Sequence, residues 1–143
     1  MYNTIVASHS HLRWLVLIFG VFAIVLPLIN QNEEITKKQK LPALLFLISM
    51  ELQFVLGFIL YFFLSPLGLD AFSQGMGHVM KTAEIRKIAV EHFTLMISAW
   101  IIVHIGYKKV KNAVNGMALK KASLVYFGIC LALILAGIPW AKM

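Results

Sequence analysis

Four long stretches of the chain are apolar on nearly every side of a helix and carry no regular polar stripe. They cover about residues 8–29, 41–64, 84–107 and 122–138. A helix on a soluble domain would keep one polar face, whereas a helix that crosses a membrane needs about 20 mainly apolar residues. Because helices satisfy their own backbone in lipid, the pattern predicts an all-α fold, a four-transmembrane-helix bundle in which residues 1–143 form a single integral membrane domain.

Polar residues and prolines mark where these stretches end. The first stretch runs into the polar segment Asn30-Gln31-Asn32, and the second stops at Ser65-Pro66. Pro139-Trp140 closes the fourth stretch, in keeping with the enrichment of Trp where membrane meets water. The same pattern leaves a longer connection over residues 65–83, whose glycines allow either a lid over the bundle or a simple surface turn.

The composition agrees with a membrane protein and changes how the charge is interpreted. Hydrophobic residues make up 60% of the chain and charged residues 13%, against about 45–50% and 25% in soluble domains. The net charge of +7 could suggest nucleic acid, but eight of the 13 basic residues lie in two short connections beside apolar stretches. These eight are Lys37, Lys38, Lys40, Lys108, Lys109, Lys111, Lys120 and Lys121. We therefore expect a lipid bilayer as the partner and no nucleic acid.

The two lysine-rich connections also predict an orientation. Positively charged connections stay on the cytoplasmic side, so both termini and residues 65–83 should face outward. The expected location is the bacterial cytoplasmic (inner) membrane, with the outward side facing the periplasm.

Histidine is the residue type that points most clearly to chemistry. His9 and His11 lie at the start of the first helix, His78 lies in the outward connection, and His92 lies early in the third helix. Since the first and third helices both start on the outward side, His9 or His11 can approach His92 across the bundle, as in bundles that hold a metal or cofactor. The alternative is that these histidines are hydrogen-bonded polar residues between helices. His104 lies toward the other side and is expected to be a lone packing or interfacial residue.

A b-type haem held by two histidines needs opposed imidazoles, an apolar slot and a cation near its propionates. Arg13 follows His9 by four residues and so shares its helix face, where it could pair with a propionate. Met96 follows His92 by four residues and is either a second soft ligand or part of the pocket wall. Gly20 and Gly57 either admit a flat ring or let helices approach closely.

Glu51 lies near the middle of the second helix, where a carboxylate costs several kcal/mol unless it is neutralised or paired. With Gln53 nearby, it could relay protons, contact a quinone head group or hold a buried cationic partner. The alternative is a protonated acid that is hydrogen-bonded between helices. The sequence contains no HExxH, CxxC or P-loop motif, so hydrolase, thiol-redox and nucleotide-binding functions have no support.

Three segments carry a resemblance to a known family. His9-Ser10-His11-Leu12-Arg13-Trp14, residues 53–57, and Glu91-His92 followed by Met96 resemble small four-helix bacterial membrane proteins catalogued as cytochrome B-like. The likeness spans nearly the whole chain. It implies that His9 and His92 are the axial ligands of a haem b, with His11 as a substitute ligand or a neighbour of a propionate.

The chain departs from diheme membrane cytochromes, which carry two histidine pairs at opposite membrane sides. Only one pair can be assembled here, which favours a single haem near the outer face that serves a quinol pool or a respiratory partner subunit in electron transfer. A second hypothesis is a copper or zinc binding or transport protein that uses His9, His11, His78 and His92. A third is a non-catalytic subunit of a larger membrane complex, and an oligomer is compatible with all three.

Overall fold

The computed structural model describes residues 1–30 and 35–140. Gln31 and Asn32, expected at the end of the first helix, and the C-terminal residues 141–143, expected on the outward side, lie outside this part of the chain. Within it the secondary structure consists of helices joined by short turns, and no strand occurs. The predicted all-α bundle of four membrane-spanning helices is confirmed, because four helices are long and apolar enough to cross a membrane. The chain is therefore a multi-pass membrane protein.

The four long helices follow one another in an up-and-down arrangement. Helix α1 covers Tyr2–Ile29, and α2 covers Lys37–Ile59 and continues through a π-helical turn, Leu60–Leu64. Helix α3 covers Ala83–Lys111, and α4 covers Gly116–Gly137. Helix α1 packs against α2, α2 against α3, α3 against α4, and α4 against α1, so the bundle is closed.

Three of the helices begin several residues before the apolar stretches that predicted them. The apolar stretch reports the part that lies in hydrocarbon, whereas a helix can continue into the interface, where water and side-chain caps satisfy its first N–H groups. At the start of α2, Thr36 and Gln39 form a reciprocal capping box. At the start of α4, Asn115 Oδ1 accepts a hydrogen bond from the Ala118 N–H at 2.8 Å.

Small and aromatic side chains fill the centre of the bundle. Ala23 of α1, Phe46 of α2, Val103 of α3 and Phe127 of α4 are fully buried. The rings of Phe46 and Phe127 meet edge to face, with 5.4 Å between their centres. Many large apolar side chains on the outer surface of the bundle remain exposed, as expected of a surface that faces lipid.

Three of the long helices contain a π-helical turn, in which the backbone hydrogen bond spans five residues. The turns are Leu60–Leu64 in α2, Lys87–His92 in α3 and Ser123–Phe127 in α4. The Tyr61 hydroxyl donates to the Ala89 carbonyl at 2.8 Å and so ties the first turn to the second. Such turns are rare in proteins overall, and many of those that do occur lie at functional sites.

The connection between α2 and α3 is more ordered than the lid or surface turn expected from its glycines. It contains a short 3-10 helix, Leu69–Gln74, and a short α-helix, Met76–Lys81. Gly75, with φ at 96°, joins them in a conformation that disfavours other residues. Ala71 and Val79 are buried with Ala89 of α3 in a small apolar cluster of their own, apart from the bundle core, and this cluster holds the segment against the start of α3.

Candidate functional site

A cavity of about 470 Å³ lies inside the bundle, between all four long helices. Its walls are mainly apolar and strongly aromatic. The aromatic residues that line it include Phe54, Phe58, Tyr61, Phe93 and Trp100. Among its few polar residues are His9, Arg13, Gln53 and His92. An apolar cavity with a small number of converging polar groups is typical of a ligand or cofactor site.

His9 and His92 come together in this cavity from facing helices. Their ring centres are 6.3 Å apart, and their planes are nearly perpendicular, at 80°. This separation is close to what one metal atom requires when it binds a nitrogen of each ring through bonds of about 2 Å. The structure thus brings together the two histidines that the topology of α1 and α3 placed on one side.

The orientation of His92 is fixed by the end of α4. Its Nδ1 lies 2.8 Å from the Gly137 carbonyl oxygen, which belongs to the last turn of α4 and has no helical partner. Because a carbonyl only accepts, Nδ1 carries the proton and donates it, which leaves the lone pair on Nε2. A histidine that binds a metal nearly always donates its other ring N–H in this way.

His9 is held against α2. The side-chain amide of Gln53 donates to the His9 backbone carbonyl at 2.9 Å, and its nitrogen lies 3.4 Å from His9 Nε2. A β-carbon at Gly57 would lie 3.1 Å from His9 Cε1, closer than ordinary contacts, so the glycine leaves the space that the ring occupies. His9 Nδ1 and Gln53 Oε1 are buried and have no hydrogen-bond partner among the described residues.

Arg13 lines the same cavity one helical turn after His9. Its Nε is buried and has no partner in the described part of the chain. The guanidinium carbon lies 5.4 Å from the ring centre of Trp14, a cation–π distance. Because a buried guanidinium N–H without an acceptor is costly, Arg13 favours an anionic group as the ligand of this cavity.

The other predicted site residues lie in different places. Met96 lines the cavity wall. His11 is exposed, because two residues after His9 the helix has turned to its other side. Its Nδ1 donates to the Ala7 carbonyl of the same helix at 2.7 Å. His78 is exposed on the short α-helix Met76–Lys81. Gly20 is a close-packing position, since a β-carbon there would lie 2.6 Å from the Leu131 side chain.

Within residues 1–30 and 35–140, no group of three or more His, Cys, Asp or Glu side chains could hold a metal ion. The four histidines of the copper or zinc hypothesis therefore do not form one cluster. Cys130 is buried and its thiol donates to the Ala99 carbonyl at 3.4 Å, which is a packing role.

Glu51 and Gln53 belong to two different sites, although the sequence suggested one. Gln53 faces His9, whereas the Glu51 carboxylate pairs with His104 Nε2 of α3 and accepts a hydrogen bond from Trp100 Nε1 at 3.2 Å. Two residues along a helix differ by about 200° in direction, so they face different neighbours. His104, expected to be alone, is thus the missed partner; a carboxylate that needed neutralising was the signal that could have found it.

The fold and the cavity define a multi-pass helical bundle with a histidine-lined internal site. Comparison with protein-family models, curated proteins and solved structures finds no match.

Proposed function

We propose that this protein binds a haem b between His9 and His92 and takes part in electron transfer in the membrane. The observation that carries the proposal is the approach of these two imidazoles, 6.3 Å apart, inside an apolar cavity. Bundles commonly hold cofactors through side chains on facing helices. A haem iron held by two protein ligands supplies a one-electron couple when bound.

The residues of the cavity fit such a group. His92, with Nδ1 donated to Gly137, presents Nε2, and this donated hydrogen bond orients the ring and raises its basicity. Arg13 offers an unpartnered Nε to a carboxylate, which matches the anionic propionates of a haem. The cavity walls are mainly apolar and aromatic, and low polarity around a haem is one of the means by which a protein sets its potential.

We further propose the bacterial inner membrane as the location, with both termini outward. The Lys40 ammonium donates to the Lys111 carbonyl at 2.6 Å, so the start of α2 and the end of α3 meet at one end of the bundle. We call this the lysine-rich end, and the positive-inside rule favours the cytoplasm for it. A quinol or a respiratory partner subunit would then exchange electrons with the haem.

The two rival functions make different demands on the chain. A copper or zinc site built from four histidines needs His11 and His78, and both are exposed away from the cavity. A purely structural subunit needs only the apolar outer surface and gives no reason for the unpartnered groups of His9 and Arg13. The haem proposal uses both groups, and for that reason we favour it.

The proposal is tested by the haem content of protein purified without a His tag from haem-replete cells. We expect about one haem per chain in the wild type and in His11→Ala, the matched control two residues from His9, and a loss of haem in His9→Ala and His92→Ala. Full haem content in both His9→Ala and His92→Ala would overturn the ligand assignment. Copper or zinc in place of haem in the wild type would favour the metal-binding rival.

A further inference from the structure

A second polar site lies outside the cavity, between α2 and α3. The Glu51 carboxylate contacts His104 Nε2 and also accepts a hydrogen bond from Trp100 Nε1 at 3.2 Å. Glu51 lies near the middle of α2, and His104 lies two turns before the lysine-rich end of α3. Ionisable residues at such positions in membrane helices usually serve a function, because placing them there is costly.

The hydrogen bonds of His104 fix how many protons the pair carries. His104 Nδ1 lies 2.7 Å from the Trp100 carbonyl oxygen, which can only accept, so Nδ1 carries a proton. Nε2 then either carries a proton and faces a carboxylate, or holds a lone pair and faces a carboxylic acid. In both forms Glu51 and His104 share one proton and are neutral as a pair. Without that proton, a carboxylate would face a lone pair.

The pair is not sealed inside the bundle. The side chains of Glu51 and His104 are 40% and 41% exposed, on the outer surface of the bundle that faces lipid. His104 lies about 10 Å along α3 from its lysine-rich end. The shortest route for a proton therefore runs from that end of the bundle and not through lipid. Among the described residues, His104 is the only basic group within 4.0 Å of the Glu51 carboxylate. From the neighbouring helices, Arg13 of α1 lines the cavity that Trp100 also lines, and on α4 Tyr126 lies near Gly106 and Cys130 donates to the Ala99 carbonyl.

We propose that Glu51 and His104 form an exchangeable proton-binding site in the membrane. Trp100 joins this site to the cavity, because its indole N–H donates to Glu51 while its ring lines the cavity wall. The ring also stacks on Phe54, with 4.5 Å between the ring centres, which holds the indole in place. The site does not depend on which ligand occupies the cavity.

The alternative is a permanent hydrogen bond that only fastens α2 to α3. Infrared difference spectra distinguish an exchangeable site from a permanent hydrogen bond. They are taken as the spectrum at alkaline pH minus that at acidic pH, with the protein in lipid nanodiscs. We expect a carboxyl C=O band that changes with pH, is absent in Glu51→Gln, and is altered in His104→Gln, which removes the partner of the carboxylate.

Glu91→Gln is the matched control, since Glu91 lies near the surface beside Arg86 and Lys87, at 3.5 and 3.7 Å. It should leave the Glu51 band unchanged. If Glu51→Gln does not fold, Trp100→Phe removes the indole donor, keeps an aromatic ring at that position and should still alter the band. The proposal would be overturned by a wild-type spectrum without a pH-dependent carboxyl band. A band that stays unchanged in both His104→Gln and Trp100→Phe would overturn it as well.

Discussion

The side-chain amide of Gln53 on α2 donates a hydrogen bond to the backbone carbonyl of His9 on α1, with 2.9 Å between nitrogen and oxygen. The same amide nitrogen lies 3.4 Å from His9 Nε2. One side chain therefore ties the two helices together at the level of the cavity and also borders the ring of a proposed haem ligand.

Replacing Gln53 with Leu should weaken both roles of this side chain. Loss of one hydrogen bond between helices is expected to reduce the free energy of unfolding by about 1 kcal/mol. Haem retention should also fall, because the His9 ring is less restrained. Thermal unfolding and haem content in detergent measure the two effects, with Leu52→Ala, on the exposed side of α2, as the control. Unchanged haem retention in Gln53→Leu would show that Gln53 does not position His9.

Gly57 provides a direct test of the space that His9 occupies. A β-carbon there would lie 3.1 Å from His9 Cε1, so Gly57→Ala should push the ring by a few tenths of an ångström, and Gly57→Val by more. We expect haem content to fall in the order wild type, Ala, Val.

Gly128 on α4 is the matched control for this series, because nothing lies within 4 Å of a β-carbon there. Gly128→Ala should leave haem content unchanged and raise stability by roughly 0.5–1 kcal/mol, since Ala is the better helix former. Equal haem loss in Gly57→Ala and Gly128→Ala would mean that the loss reflects general destabilisation.

The four spans could be predicted from sequence because the thickness of the bilayer sets the length of each apolar stretch. The approach of His9 to His92 followed from the same topology, since α1 and α3 start at one end. The sequence left open which of His9 and His11 faces inward, because that depends on the rotation of α1 about its axis. Packing fixes this rotation, for example where Gly20 meets Leu131.

Other parts of the site were beyond the sequence for related reasons. The pairing of Glu51 with His104 requires a particular rotation of α2 relative to α3, which periodicity in nearly uniform apolar helices does not report. The π-helical turns depend on tertiary contacts such as the Tyr61 hydrogen bond to the Ala89 carbonyl. The short helices between α2 and α3 were missed because Gly75 and Gly77 weaken the local helical pattern.

Arg13→Met should have opposite effects on the protein with and without its ligand. Without the ligand, removal of a half-buried cation whose buried Nε has no partner should raise the unfolding temperature. Haem affinity should fall by roughly tenfold or more, because a hydrogen bond to a charged group contributes about 1.5–3 kcal/mol.

Haem titration and thermal unfolding of the apoprotein measure these two effects. Arg86→Met serves as the control, since Arg86 is exposed to about a third and donates to the Met80 carbonyl at 2.7 Å, away from the cavity. An apoprotein destabilised by Arg13→Met, with haem affinity unchanged, would show that Arg13 has a structural role only.

The proposed orientation predicts which positions a membrane-impermeant thiol reagent can reach in intact cells. Single substitutions His78→Cys and Lys38→Cys lie at opposite ends of the bundle, and both positions are exposed. Native Cys130 is fully buried and should not react. We expect labelling of His78→Cys in intact cells and of Lys38→Cys only after the membrane is opened, and the reverse pattern would invert the orientation.

The central claim, a haem b held between His9 and His92, is tested most directly by the reduced-minus-oxidised visible spectrum of the purified wild-type protein. Protein made without a His tag in haem-replete cells should show the sharp α band of a six-coordinate b-type haem, and this band should be absent in His92→Ala. A featureless wild-type spectrum would contradict the claim.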